Sequence, residues 1–415
     1  MVLLAVIAVL VFAYSLASRA MERSVVSAPM LFAGAGILLG SAGAGLIEYP
    51  SLGTGAVGGF AEATLLLVLF TDAIRIDARR LRTEARLPLR LLGIGLPLTI
   101  IAGTAVALLV FKSYDLAAAL VLASILTPTD AALGKPVVIS EEVPVSIRQT
   151  INVESGLNDG IMLPVITAAV ILLEEEAGLE DRGFISLLAT EIGFGVAVGL
   201  AIGWLGGKAL EWAVSRRMVE GVMRQLGTMA IGVAAYALAP MIGGNGFVAA
   251  FVAGIGFGIA AREHCEGAYD FAADEGELLT LITFFLFGLI VVEDAITNFS
   301  WASIGYAVLS LTVIRMIPVA IALIGSGVRT PTKLFIGWFG PRGLASILFG
   351  VFLLEESGVP IADSIFSVVV WTVMISIVAH GMSAMVLSRE YGAWYRRSGP
   401  ADMIESAEVF AHPTR

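Results

Sequence analysis

A chain of 415 residues is long enough for two or three soluble domains, but its composition speaks against them: hydrophobic residues make up 58% and charged residues only 14%, about half the ~25% of soluble domains. With a mean hydropathy of +0.91, lipid has to cover part of the apolar surface. The 35 acidic residues outnumber the 25 basic ones, for a net charge of −10, which disfavours nucleic acid as a partner. One cysteine, Cys265, excludes a disulfide framework, and His264, His380 and His412 are too few for a multi-histidine metal site.

Apolar runs separated by short polar loops predict an all-α polytopic membrane protein of thirteen spans: 2–18, 30–47, 57–74, 88–111, 116–139, 149–173, 184–213, 224–241, 246–261, 277–294, 301–325, 333–354 and 362–388. The loop after the third span holds six arginines, Arg75, Arg79, Arg80, Arg82, Arg86 and Arg90. The positive-inside rule puts it, and the loops of equal parity, in the cytoplasm. The amino terminus is then outside and the carboxyl terminus inside, in keeping with an odd number of spans. The first run lacks a basic start and is followed by Arg19, which favours a true helix over a cleaved signal peptide. Residues 1–388 read as the transmembrane domain and 389–415 as a short cytoplasmic tail.

Spans five and twelve carry the strongest signal. The first contains Leu126-Thr127-Pro128-Thr129-Asp130, the second Phe339-Gly340-Pro341-Arg342-Gly343. Proline removes a backbone donor and clashes with the preceding turn, so both helices are expected to break near their middles. Asp130 is placed to cap the helix that restarts. An offset of seven spans makes the two breaks antiparallel, as in two inverted six-span repeats joined by span seven. Paired interruptions of this kind mark the ion site of a transporter.

Charges inside a bilayer are costly and need a partner or a task. Span six reads Asn152-Val153-Glu154-Ser155-Gly156-Leu157-Asn158-Asp159. Glu154 with Asn158, and Ser155 with Asp159, are each four apart and form one polar stripe that faces the protein interior. Asp159 lies ~15 Å deep, about midplane, and is the first candidate for a carboxylate that binds a cation and a proton in turn. Ser155 and the Thr129 carbonyl are candidate neutral ligands. Asp72 is a second candidate carboxylate, or else a boundary residue paired with Arg75 or Arg79. Glu154, Arg315 and Arg342 suggest a structural ion pair, Glu154 with either arginine. Glu62 and Glu191 read as packing residues, His380 as a hydrogen-bonded core histidine, and the acidic stretch 263–277 as a solvated surface. Gly254, Gly256 and Gly258 read as points of close helix approach.

At these residues the sequence resembles the electroneutral branch of the monovalent cation:proton antiporters, the NhaP and NHE type. The resemblance rests on Thr127-Pro128-Thr129-Asp130, on Glu154-Ser155-Gly156-Leu157-Asn158-Asp159, on Gly337-Trp338-Phe339-Gly340-Pro341-Arg342-Gly343-Leu344-Ala345-Ser346 and on Gly244-Asn245-Gly246-Phe247-Val248-Ala249. It implies crossing broken helices 5 and 12 and a homodimer. It also implies an alkali-cation site made by Asp159, Asp72, Ser155 and the Thr129 backbone, with Asp130 and Asn158 acting through water or as support. Asp72 is one methylene shorter than the glutamate often found there, and Gly340-Pro341 replaces the usual glycine-leucine.

The expected function is therefore not enzymatic. It is exchange of sodium (or lithium) for a proton, one for one, in pH homeostasis at the plasma (inner) membrane. The site would alternate between faces by rocking of one bundle against a scaffold, with no cofactor and with the cation, the proton and the lipid bilayer as partners. Asn158, where electrogenic relatives carry a second aspartate, favours electroneutrality. A potassium/proton antiporter fits the same residues. A cation channel, or an intramembrane aspartyl protease using Asp130 and Asp159, fits them less well.

Overall fold

The computed structural model describes residues 2–21, 24–47, 54–74, 86–178, 183–261, 266–297, 299–356 and 358–398, and among these there is helix and no strand. Arg75, Arg79, Arg80, Arg82, most of the tail and the side chains of the acidic stretch up to residue 274 lie outside the description. In chain order the helices are α1 (Val2–Met21), α2 (Ala28–Leu39), α3 (Thr54–Ile74), α4 (Arg86–Val110), α5 (Leu116–Ile125), α6 (Ala131–Val138), α7 (Val145–Glu176), α8 (Phe184–Ser215) and α9 (Val222–Leu238). They continue with α10 (Gly246–Ala260), α11 (Glu266–Leu286), α12 (Trp301–Leu311), α13 (Val313–Ala322), α14 (Thr330–Trp338), α15 (Leu344–Glu356) and α16 (Ala362–Arg397). Seven helical stretches among the described residues, one of them α12 and α13 taken together, are long and apolar enough to cross a membrane. Others are apolar but short, such as α2 and α10, or are halves of interrupted helices.

Two differences from the sequence reading have local causes. The run 30–47 is helical only to Leu39, after which a turn follows. At the other end, α16 continues through Arg397 because Tyr391, beyond the apolar run, is buried and stacks on Phe335 with ring centroids 4.3 Å apart.

The chain divides into two compact units. The first contains α1, α2, α4 to α6, α7 as far as Asn158, and the chain from Leu281 onward. In it α16 serves as a pillar: α5, α6, α14 and α15 all pack against it, as does α12. Its inward side is lined by buried Val369, Thr372, Ser376 and His380. The second unit contains α3 from Gly58, α7 from Asp159, α8 to α10 and α11 as far as Thr280. There α8 and α10 meet backbone to backbone, since a Cβ on Gly195 would lie 2.9 Å from the Asn245 carbonyl and one on Gly256 3.1 Å from the Trp204 nitrogen. The opposite side of α10 approaches α3 as closely, since a Cβ on Gly258 would lie 2.7 Å from the Ile74 carbonyl oxygen. Small residues permit this contact, which membrane helices use in place of a hydrophobic driving force.

Candidate functional site

Both proline-containing breaks occur in the first unit. Helix α5, capped at its start by Asp115, whose side chain accepts from the Ala118 N–H at 2.8 Å, stops at Ile125, and α6 begins at Ala131. Likewise α14 stops at Trp338 and α15 begins at Leu344. The two breaks touch: the Asp130 N–H donates to the Pro341 carbonyl at 2.9 Å, and the Ser346 hydroxyl of α15 donates to the Ile125 carbonyl at the end of α5 at 2.9 Å. Asp130 has extended backbone, with φ −90° and ψ 120°, as an N-cap requires. Its Oδ1 accepts from the Leu133 N–H at 2.8 Å and its Oδ2 from the Leu344 N–H. One carboxylate thus caps two helix starts, where the macrodipole of each favours an anion. Gly343 is obligatory there, because a Cβ on it would overlap Asp130 Oδ2.

The opposite ends of the breaks are held by the base. Arg342 is fully buried, and its Nη1 donates to the Pro128 carbonyl at 3.2 Å and to the Gly340 carbonyl at 3.1 Å. These carbonyls follow the ends of α5 and α14, where partial negative charge collects. Two residues, each within two positions of a proline, therefore place an acid at two helix starts and a base at two helix ends.

Helix α7 supplies the polar face. The Ser155 hydroxyl donates to the Thr129 carbonyl at 2.6 Å, and Asn158 Nδ2 donates to the Thr129 hydroxyl at 2.7 Å. Thr129, Asp130, Ser155 and Asn158 are thus brought together and buried, whereas Asn158 Oδ1 has no hydrogen-bond partner among the described residues. Asp159 follows on the same helix, one turn beyond Ser155, and is 9% exposed. Asp72 is half-buried near the end of α3, and the arginines 75 and 79 weighed as its partners lie outside the described residues. No group of three or more His, Cys, Asp or Glu side chains able to hold a metal occurs among the described residues. The oxygens gathered at Thr129 and Ser155 are neutral and hard, suited to replacing the hydration shell of an alkali ion.

Glu154 points to a different partner. Its Oε1 and Oε2 lie 2.6 Å and 2.8 Å from Arg315 Nη2, with both side chains 2% exposed. Of the two arginines weighed for it, Arg315 makes the pair, while Arg342 lies within electrostatic range of both members. Gly340 gives Arg315 its room, since a Cβ there would meet the guanidinium.

Sequence reasoning passed over Ser376. Its hydroxyl accepts from the Arg342 N–H at 2.7 Å and lies 3.2 Å from His380 Nδ1, while His380 Nε2 is 2.9 Å from the Trp338 carbonyl. His380 Nδ1 also lies 3.1 Å from the Ser376 carbonyl, so the ring bridges Ser376 and the Trp338 carbonyl. The available signal was the spacing of Ser376 and His380, four apart on one helix face in a largely apolar run. His380→Ala is expected to lower stability by about 2–4 kcal/mol, measured by unfolding in detergent. His380→Gln, which retains a donor, is expected to cost less, and equal losses would contradict the hydrogen-bond account.

A helical membrane chain in which two interrupted helices meet, with a buried acid and a buried base at their ends, has the architecture of a secondary transporter. The family defined as "Sodium/hydrogen exchanger, transmembrane" matches residues 5–389, and the chain belongs to that family of antiporters. It is 26% identical over 401 residues to the K(+)/H(+) antiporter NhaP of Alkalimonas amylolytica, covering 92% of this chain and 67% of that protein. It is 23% identical to the K(+)/H(+) antiporter NhaP2 of Shewanella sp. (strain ANA-3), covering 87% and 62%. With the Na(+)/H(+) antiporter of Schizosaccharomyces pombe the identity is 26%, covering 69% and 67%. The chain thus spans about two thirds of the length of these relatives. The structure of the sodium proton antiporter MjNhaP1 from Methanocaldococcus jannaschii at pH 8 superposes with a TM-score of 0.75 at 18% identity, covering 92% of this chain and 99% of that one. That likeness is one of fold.

Proposed function

We propose that this protein exchanges sodium, or lithium, for a proton, one for one, by alternating access to a single carboxylate site at Asp159. The observation that carries the reading is the cluster of Thr129, Ser155 and Asn158 at the break between α5 and α6, one turn before Asp159 on α7. Ser155 spends its proton on the Thr129 carbonyl, so its oxygen lone pairs remain for a cation. Thr129 then orders the hydroxyl and offers the second lone pair of its carbonyl. Asp159, with Asp72 as a second acidic ligand, supplies the charge. A proton on Asp159 cancels the charge that holds the cation, so the two compete, and this competition is the exchange. Asn158 is neutral where a second carboxylate would add another titrating charge, which supports electroneutrality. Asp130 and Arg342 hold the breaks, and Glu154–Arg315 braces α7. Thirteen crossings, an outward amino terminus, a cytoplasmic tail, a plasma-membrane location and a homodimer complete the proposal.

Potassium/proton exchange is the second reading, favoured by the two bacterial relatives named K(+)/H(+) antiporters. The test is proton flux in proteoliposomes against graded sodium, lithium and potassium gradients with the membrane potential clamped. Sodium or lithium is expected to dissipate the pH gradient at a rate independent of the clamped potential. A larger response to potassium selects the second reading, and net charge movement overturns the one-for-one ratio.

A further inference from the structure

Beside the Thr129–Ser155 cluster is a cleft of about 10 Å³, the space of a single water molecule. Its polar lining consists of Thr129, Asp130 and Ser155, already given tasks above, and of Asn152. Phe339 and Pro341 close part of the remainder. Asn152 is exposed and lies in the polar first turns of α7, about 4.5 Å inside the boundary expected at residue 149, within reach of cytoplasmic water. Along α7 the residue stands three positions before Ser155 and seven before Asp159, and these spacings put all three on one helix face. At 1.5 Å per residue, Asn152 is about 10 Å from Asp159 along the axis, with Ser155 between them. Both side-chain oxygens of Asp130 accept backbone N–H groups, so Asp130 has less to offer a passing ion than its charge suggests.

We propose that Asn152 is a way station on the cytoplasmic access path, whose amide oxygen replaces one water of the cation's hydration shell before the ion reaches Ser155 and Thr129. This rests on the exchange reading above and deepens it. An amide oxygen suits the task, being a hard, neutral ligand that binds weakly enough to release the ion inward. The cytoplasmic assignment follows from the position of Asn152 near the start of α7, the end that the distribution of arginines places inside.

The test has a functional arm and an arm that needs no transport. In vesicles of known orientation, Asn152→Ala is expected to raise the apparent KM for sodium at the cytoplasmic face about fivefold, the worth of one neutral hydrogen bond. The maximal rate and the KM at the outer face should stay within a factor of two. A purely structural role would instead lower the maximal rate and the thermal stability with KM unchanged, and Asn152→Gln should recover part of the lost affinity. In the second arm, Asn152→Cys in a Cys265→Ala background is treated with a membrane-impermeant cationic thiol reagent. Reaction from the cytoplasmic face, slowed by sodium, is expected. Reaction only from the outer face, or from neither, overturns the proposal, as does an unchanged KM in well-folded Asn152→Ala. If the unmodified protein shows no cation-driven proton flux, the exchange reading fails, and the labelling still decides whether the cleft is a water-filled path.

Discussion

Replacing Glu154 by glutamine is expected to lower the unfolding free energy by about 3–5 kcal/mol, because it leaves a buried guanidinium without its anion. Glu154 and Arg315 are both 2% exposed and meet through both carboxylate oxygens, so the pair is shut off from bulk solvent. The loss is asymmetric. After Glu154→Gln, Arg315 and Arg342 remain as two like charges within electrostatic range of each other. After Arg315→Gln, Glu154 still has Arg342 within range and is expected to lose less. The double variant should be milder than the sum of the singles, since it buries no unpaired charge of this pair. Thermal unfolding of the four proteins in one detergent measures the cycle, and additive losses would contradict the pairing energy argued here.

Asp130→Ala should come next in size. Removing the carboxylate strips the cap from α6 and from α15 and leaves the Leu133 and Leu344 N–H groups without acceptors in the interior. At about 1–2 kcal/mol for each cap, the expected loss is about 2–4 kcal/mol. Asp130→Asn keeps one acceptor oxygen but turns an NH2 group toward the other N–H, so roughly half the loss should remain. Amide hydrogen exchange gives the local readout: protection should fall at Leu133 and Leu344 together in Asp130→Ala. Loss at only one of them would mean that the two half-helices do not share the cap.

The breaks were legible in the sequence because proline and a formal charge in the middle of an apolar run leave few alternatives, and α5 and α14 do stop within three residues of Pro128 and Pro341. That the two breaks touch was implied by the family resemblance and by no local pattern, since Asp130 and Leu344 are 214 positions apart. The partner of Glu154 stayed open for the same reason: two arginines of like charge differ only in distance, which helix periodicity does not supply. The interruption at Thr312, with φ −114° and ψ −92°, falls in an apolar run without a proline at that position and left no sequence signal. Ser376 was hidden by its size, since a serine in a membrane helix usually satisfies itself on its own backbone. Tyr391 and the last turns of α16 were obscured by surrounding polar residues, although an aromatic ring there has a buried partner in Phe335.

The most direct measurement is sodium-driven proton flux through Asp159→Asn in proteoliposomes, beside the unmodified protein at equal incorporation and with the potential clamped. The amide neither titrates nor holds charge for a cation, so exchange should fall to the level of empty vesicles while the variant unfolds at a temperature close to that of the unmodified protein. Sodium-driven flux at the unmodified rate in that variant would contradict competition for a single carboxylate.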